Sequence, residues 1–192
     1  MYIGEMSTRD DLIEATRRLL WERGYGATSP RAILDASGAG QGSMYHHFHG
    51  KEALAQAAIE RNAEEMRTQI AADLSSGGSA VESIRAYLGR EREALKGCRF
   101  GRLVQDVDVV DSPVLRGEVE AMFAWVRAQL AAVIAAGISR NEFRADLDAA
   151  KIATAIAATL QGSYVLARAA QDVSVFDDAV EGVLALLYAA RA

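Results

Sequence analysis

The residues with the most evident chemistry are three histidines in one stretch, His46, His47 and His49, with the only cysteine, Cys98, far along the chain. His46 and His49 share a face if that stretch is helical, and imidazoles so placed can begin a metal site. The set is incomplete, because a structural zinc needs four ligands and one remote thiol does not supply the rest. Gly38-Ala39-Gly40-Gln41-Gly42 is rich in glycine, yet Ser43 stands where the dinucleotide fingerprint needs its third glycine, and helical rather than strand residues precede it. No nucleophile elbow, zinc-protease motif or local Ser, His and Asp constellation occurs. With histidine confined to one segment, the chain is expected to be neither an enzyme nor a carrier of metal or cofactor.

Two cations point to a different chemistry. Pro30 follows Ser29, the pairing of N-cap and first helical residue that opens a helix, and Arg31 sits in the first turn behind it. Lys51 likewise opens the stretch after Gly50. Helix N-termini carry partial positive charge and ordinarily attract acids. An external anion reconciles both positions, since a phosphate is held jointly by free backbone N–H groups and the cation. Thr28, Ser29, Ser43, Tyr45 and His46 add hydrogen-bond donors to the same segment. Two solvated surface cations, at a cost of about a few tenths of a kcal/mol, fit the same pattern without any ligand.

The elements that must position these groups are helical. Leu12, Ile13, Leu19 and Leu20 recur seven apart, Ser7 or Thr8 faces Asp10 and Asp11 at capping spacing, and Gly24 ends the pattern, giving a first helix over about residues 8–23. Residues 30–36 make two turns before the small residues Ser37-Gly38-Ala39-Gly40 permit tight turning, and a second short helix spans about 41–48. Two short helices joined this way, packed on a longer one, form a helix-turn-helix whose second helix can enter a major groove. Trp21 and Phe48 are expected in its core, and His47 and His49 at its surface or in structural roles.

A long amphipathic pattern follows, with Leu54, Ala58, Met66, Ile70 and Leu74 on one side, until Ser75-Ser76-Gly77-Gly78 breaks it. Val81, Ile84, Leu88 and Leu95 mark a fifth helix stopped by Gly97, and Leu103, Val107 and Val110 keep helical spacing within a β-branched run, which reads as one short helix. From Pro113 a long helix carries Leu115, Val119, Met122, Val126, Leu130 and Val133 and is closed by Gly137; two more cover about 147–170 and 175–190. The expected fold is all-α with about nine helices, a helix-turn-helix domain over residues 1–50 and a bundle of longer helices over 51–192.

The composition is that of a globular protein of one or two domains: 192 residues, 51% hydrophobic and 24% charged. A folded chain of this size buries roughly 70% of its extended surface and needs no disulfide. At a net charge of −5 it has no global attraction for nucleic acid, so any such binding rests on local geometry. The most apolar run, residues 152–167, is interrupted by Gln161 and Ser163 and is too short to span a membrane. One cysteine and no cleavable leader favour a reducing cytoplasm, and Met1 to Ser7 reads as a short mobile start.

The run Gly24-Tyr25-Gly26-Ala27-Thr28-Ser29-Pro30-Arg31-Ala32-Ile33, then Ser37 to Phe48, then Lys51-Glu52-Ala53-Leu54 resembles the DNA-binding signature of TetR-family transcriptional repressors. The resemblance implies a homodimer that binds a palindromic double-stranded DNA operator and releases it when a small molecule enters the C-terminal bundle. Carried over by position, Thr28 and Ser29 cap the second helix and touch phosphate, and Arg31 reaches phosphate or a base edge. Gln41 and Ser43 face bases, Gly42 lets the backbone approach, Tyr45 and His46 contact phosphates, and Lys51 clamps the backbone. Gly40 stands where relatives often carry a capping Ser or Thr, which removes any phosphate contact by that hydroxyl. A dimeric small-molecule-binding or scaffold protein of the same fold, without DNA binding, is the alternative.

The Ala- and Ile-rich helix over about 147–170 is apolar nearly all round and should be covered on two sides. One covering is its own bundle and the other a second copy, with Ala153, Ala157 and Gly162 allowing close approach and Phe176, Val180, Val183, Leu184 and Leu187 completing a four-helix interface; burial within one subunit is the alternative. The resemblance implies the same two helices as the dimer surface. A largely apolar effector would be lined by Tyr87, Phe100, Met122, Phe123, Trp125, Gln129, Gln161 and Tyr164. The Gly97-Cys98-Arg99-Phe100-Gly101 and Leu115-Arg116 segments also resemble a multidrug-responsive subgroup, and Cys98 reads as a small buried residue rather than a redox sensor.

Overall fold

A computed structural model of the chain describes residues 8–192, so the short start at Met1 to Ser7 and any cap by Ser7 lie outside the described residues. Ten helices are present among them: α1 (Thr8–Arg23), α2 (Pro30–Ser37), α3 (Gln41–His47), α4 (Lys51–Ser75), α5 (Ala80–Gly89), α6 (Arg99–Leu103), α7 (Val107–Asp111), α8 (Pro113–Ser139), α9 (Ala149–Ala170) and α10 (Ser174–Ala189). The only β pairing among the described residues is an isolated antiparallel bridge, Phe143 with Arg191. The chain divides into two compact units, one of residues up to Glu64 with Arg99–Ala121, the other of Glu65–Cys98 with Met122–Ala192.

In the first unit, α1 buries Leu12, Ile13, Leu19 and Leu20 and packs on α2, α3 and α6. Ser29 caps α2, its hydroxyl oxygen accepting the Ala32 N–H at 3.1 Å, and Pro30 follows with the φ a first helical turn requires. Gly38 closes α2 at φ 71°, donating its N–H to the Leu34 carbonyl. Seven residues are far fewer than the roughly 12–15 an isolated helix needs, so α3 depends on what it buries: Met44 at 0% exposure, with Phe48 just beyond its end at 6%. Arg17, nearly buried, ties α1 to α4 through Asn62 Oδ1 at 2.8 Å, and Arg61 of α4 reaches back to Asp10 at 2.8 Å.

The single short helix expected over residues 103–110 is two, α6 and α7. The break is set by Asp106, whose carboxylate caps α7 through the Asp108 N–H and also accepts the Gly26 N–H at 2.8 Å. Hydrophobic spacing carries no sign of such a side-chain cap. Leu103 and Val109 are buried, while Val107 is 70% exposed.

The fifth helix is shorter than its apolar pattern. It ends at Gly89, and Leu95 lies beyond it in an irregular stretch, partly exposed. Arg92 stops it by occupying the carbonyls of Tyr87 and Leu88 with its guanidinium, a C-terminal cap made by a cation. Conversely, Gly137 does not end α8, which continues to Ser139. A Cβ there would lie 2.7 Å from the Ala80 Cβ and 2.8 Å from the Phe143 ring. That glycine therefore serves close packing rather than helix termination. α8 is long and apolar enough to cross a membrane, but Leu115, Val119, Met122, Val126, Leu130 and Ile134 along it are buried in the protein. In the second unit α10 packs on α9 and α5.

Candidate nucleic-acid interface

Gln41, Gly42, Tyr45 and His46 all face solvent on α3, with Ser43 half-buried. Tyr45 is 56% exposed, a large apolar surface to leave in water on a helix whose opposite side is sealed by Met44. Gly40 is extended at the N-cap with no side-chain bond, so the first N–H groups of α3 have no side-chain acceptor at that cap. The left-handed turn at Gly38 followed by extended Gly40 therefore presents one polar, aromatic-bearing face of a short helix fixed from behind.

The surrounding groups depart from the sequence expectation in three places. Thr28 is buried and its hydroxyl donates to the Gly24 carbonyl at 2.6 Å, so it holds the turn before α2 together and offers nothing to phosphate. Arg31 is exposed but already paired one turn on with Asp35 at 2.9 Å. Lys51 is half-buried, its ammonium 3.9 Å above the Tyr25 ring. Burial lowers the Lys51 pKa while Asp108 and Asp106 push it back up. The two cations thus do not lack intramolecular counter-charges: an i,i+4 carboxylate and a pair at the start of α7 serve that role. The Arg31–Asp35 pair is wholly solvent-facing and worth at most about 1 kcal/mol, weak enough for a phosphate to displace. Ser29, by contrast, caps α2 and stays exposed.

Asp106 and Asp108 were not legible as members of this region, and Tyr25 was legible only as part of the signature run, with no role. The side chains come close because Gly24 and Gly26 leave room: a Cβ at Gly24 would sit 2.9 Å from Asp106 Oδ2, and one at Gly26 2.9 Å from Asp108 Oδ2. Burial, then Glu52 and the two aspartates, raise the Tyr25 pKa, so its phenol remains neutral under the Lys51 ammonium. His47 and His49 are exposed, Phe48 is buried, and Trp21 is half-buried beneath the Arg99 guanidinium at 4.2 Å. No group of three or more His, Cys, Asp or Glu residues with metal-binding placement occurs among the described residues.

Of the expected effector residues, Phe100 belongs to the first unit and Tyr87, Met122, Phe123, Trp125, Gln129, Gln161 and Tyr164 to the second. Tyr87 and Met122 are buried, and Phe123, Trp125, Gln129, Gln161 and Tyr164 are half-buried. Tyr87 and Tyr164 share one electrostatic neighbourhood with Arg92 and Cys98. Arg92 was missed because Arg90-Glu91-Arg92-Glu93 reads as solvated surface. A separate apolar cavity of about 130 Å³ is lined by Ile134, Phe143, Leu147, Ile156, Val183 and Leu187, and none of the expected effector residues borders it.

Five of the expected dimer residues are occupied elsewhere: Ala153, Phe176, Val180, Leu184 and Leu187 are buried within the protomer itself. An α9 apolar all round does not reveal which stripe faces home, and here it is Ala153, Ile156, Leu160, Ser163 and Ala167. Ala157, Gly162 and Val183 are half-buried. The large apolar groups these helices leave most exposed are Val165 at 54%, Leu166 at 57% and Leu186 at 74%, followed by Tyr188.

Comparison with known proteins places this geometry. Residues 12–58 match the family described as bacterial regulatory proteins, tetR family, and residues 78–183 match the tetracyclin repressor-like C-terminal domain. The chain is 27% identical over 172 residues to the HTH-type transcriptional regulator LmrA of Bacillus subtilis (strain 168), covering 86% of this chain and 88% of that protein. It is 25% identical over 150 residues to the HTH-type transcriptional repressor KstR2 of Rhodococcus jostii (strain RHA1), covering 76% of this chain and 72% of that one. A TetR transcriptional regulator from Chloroflexus aurantiacus J-10-FL superposes with a TM-score of 0.84 at 29% identity, over 93% and 92% of the two chains. A TetR-family regulator from Cytophaga hutchinsonii gives 0.86 at 25% identity over 98% of both. With both halves of its sequence matched in order and its helices superposing over nearly their whole length, this chain belongs to the TetR family of transcriptional regulators.

Proposed function

We propose that the chain is a cytoplasmic, ligand-responsive repressor that binds a palindromic operator as a homodimer through α3 and is released by a small molecule held in its C-terminal half. The observation that carries this reading is the exposed Gln41, Gly42, Tyr45 and His46 face, backed by the buried Met44. A helix so presented fits a major groove. Gln41 and Ser43 read base edges, and Ser29, Tyr45, His46 and Lys51 hold phosphates. Arg31 joins them by exchanging Asp35 for a phosphate. The copies associate through the outer faces of α9 and α10, where Val165, Leu166 and Leu186 are exposed. Two-fold symmetry then sets the recognition helices about 34–36 Å apart, one turn of DNA.

Residues 1–50 act as the DNA-binding domain and residues 51–192 as the regulatory one. α4 is the coupler, since it opens at Lys51 and its later residues belong to the second unit. An effector that favours a different spacing of the recognition helices weakens operator binding, and the operator weakens effector binding by the same factor.

Asp35, Asp106 and Asp108 favour the other reading, a dimeric small-molecule-binding or scaffold protein of this fold, because they place negative charge beside both cations. Gel shift with fragments of the source genome separates the two. Retention that is lost with Gln41→Ala and Tyr45→Phe supports the repressor. Retention indifferent to both variants removes α3 as the reading element.

A further inference from the structure

Arg92 is a cation without an anion. It stands just beyond α5 in the second unit, where Nη1 donates to the Leu88 and Arg90 carbonyls, both at 2.7 Å, and Nη2 donates to the Tyr87 carbonyl. All three acceptors are neutral. Asp73, a carboxylate within its electrostatic reach, is taken by Arg90 at 3.0 Å. Three bonds leave Nε–H and one Nη2–H without an acceptor among the described residues. That is the number of donors a carboxylate engages in a fork.

The groups around this cation are also open. Its guanidinium carbon lies 5.4 Å from the Tyr87 ring centroid, and Tyr164 lies within its electrostatic reach. Neither phenol hydroxyl has a hydrogen-bond partner among the described residues. The Tyr164 ring meets the Phe176 ring at 4.9 Å, which supplies an apolar wall. Capping of α5 accounts for the three carbonyl bonds. It does not account for an open guanidinium edge beside two phenols with nothing to donate to.

We infer that the effector is an organic acid whose carboxylate is taken by the free N–H groups of Arg92 and by the Tyr87 and Tyr164 hydroxyls, with its apolar body against Tyr164 and Phe176. The inference rests on reading the chain as an effector-released repressor, and it sharpens the effector from a largely apolar molecule to an apolar one with a single negative charge. Burial lowers the Arg92 pKa by more than nearby Asp73 raises it. Burial pushes the Tyr87 phenol up to about 12 and raises that of Tyr164 as well, so both remain proton donors at neutral pH.

The test is calorimetric titration of the full chain with benzoate, 1-naphthoate and 2-anthroate, each against its uncharged carboxamide. At least one acid should bind tenfold or more tightly than its amide. Tyr164→Phe and Arg92→Lys, which keeps the charge but not the fork, should each weaken that acid about tenfold and leave the amide unchanged. Circular dichroism identifies any variant that fails to fold, and Tyr164→Phe then carries the comparison alone. Equal binding of acid and amide, equal loss of both in Tyr164→Phe, or no acid bound at millimolar concentration overturns the inference. Gel shift run alongside keeps the two claims apart. DNA retained by a chain that binds no acid leaves the repressor reading standing, whereas acid bound by a chain that retains no DNA upholds the site and removes that reading.

Discussion

Replacing Lys51 by Met tests the phosphate clamp while keeping most of the packing, because the thioether can still lie on the Tyr25 ring that the ammonium now covers at 3.9 Å. Burial lowers the Lys51 pKa, and Asp108 and Asp106 push it back up. In a two-fold complex the substitution removes two phosphate contacts. Each neutralised phosphate contributes about 0.9 to the slope of log K against log salt, so the magnitude of that slope should fall by about 1.8. A hydrogen bond to a charged group is worth about 1.5–3 kcal/mol. Leaving the Tyr25 ring offsets about 0.5–1 kcal/mol of that. A net loss of about 1 kcal/mol per subunit corresponds to roughly thirtyfold weaker operator binding. Fluorescence anisotropy of a labelled operator over a salt series measures both quantities. Parallel salt slopes for the wild type and Lys51→Met would show that the ammonium stays on Tyr25 and never meets the DNA.

Other consequences follow from the same contacts. Asp108→Asn removes an exposed carboxylate acting on Lys51 and should tighten operator binding about two- to fivefold; weaker binding would mean that Asp108 supports the interface. Thr28→Val deletes the buried bond to the Gly24 carbonyl and should cost about 1–2 kcal/mol in urea denaturation with no change in salt slope, whereas an altered slope would return Thr28 to the phosphates. Gly137→Ala gains about 1 kcal/mol of helix propensity but drives a methyl against Ala80 and Phe143, so overpacking of about 1–3 kcal/mol should leave it less stable than the wild type. Tyr87 is buried neutral, and its folded pKa of about 12 stands above the ordinary phenol value of about 10. Its stabilisation is therefore complete below about pH 10 and lost as pH rises through 12, about 3 kcal/mol in all. Tyr87→Phe should flatten that alkaline decline, and an unchanged decline would assign it to other groups.

Helices with strong periodicity and side-chain caps were legible in the sequence. Leu12, Ile13, Leu19 and Leu20 define α1, and Ser29-Pro30 with Gly38 bounds α2, because caps and turns are local chemistry. What escaped is decided by where side chains reach, which periodicity does not show. Arg92 ends α5 by turning back onto its carbonyls, Asp106 splits the residue 103–110 run by bonding Gly26, and Gly137 admits Ala80 and Phe143. The interface followed the same division. The face of α3 could be read from Gln41 to His46, but the pairing of Arg31 with Asp35 and the setting of Lys51 on Tyr25 depend on rotamers and tertiary approach. An all-apolar α9 likewise could not show which side faces its own bundle.

The central claim, that the α3 face reads DNA, is tested most directly by sequencing the genomic fragments retained by the purified chain at physiological salt. Enriched fragments should share an inverted repeat with half-sites about 10 base pairs apart, centre to centre, and Gln41→Ala should relax the preference at particular positions within each half-site. Recovery of fragments at their genomic frequency, or an enriched motif unchanged by Gln41→Ala, would contradict it.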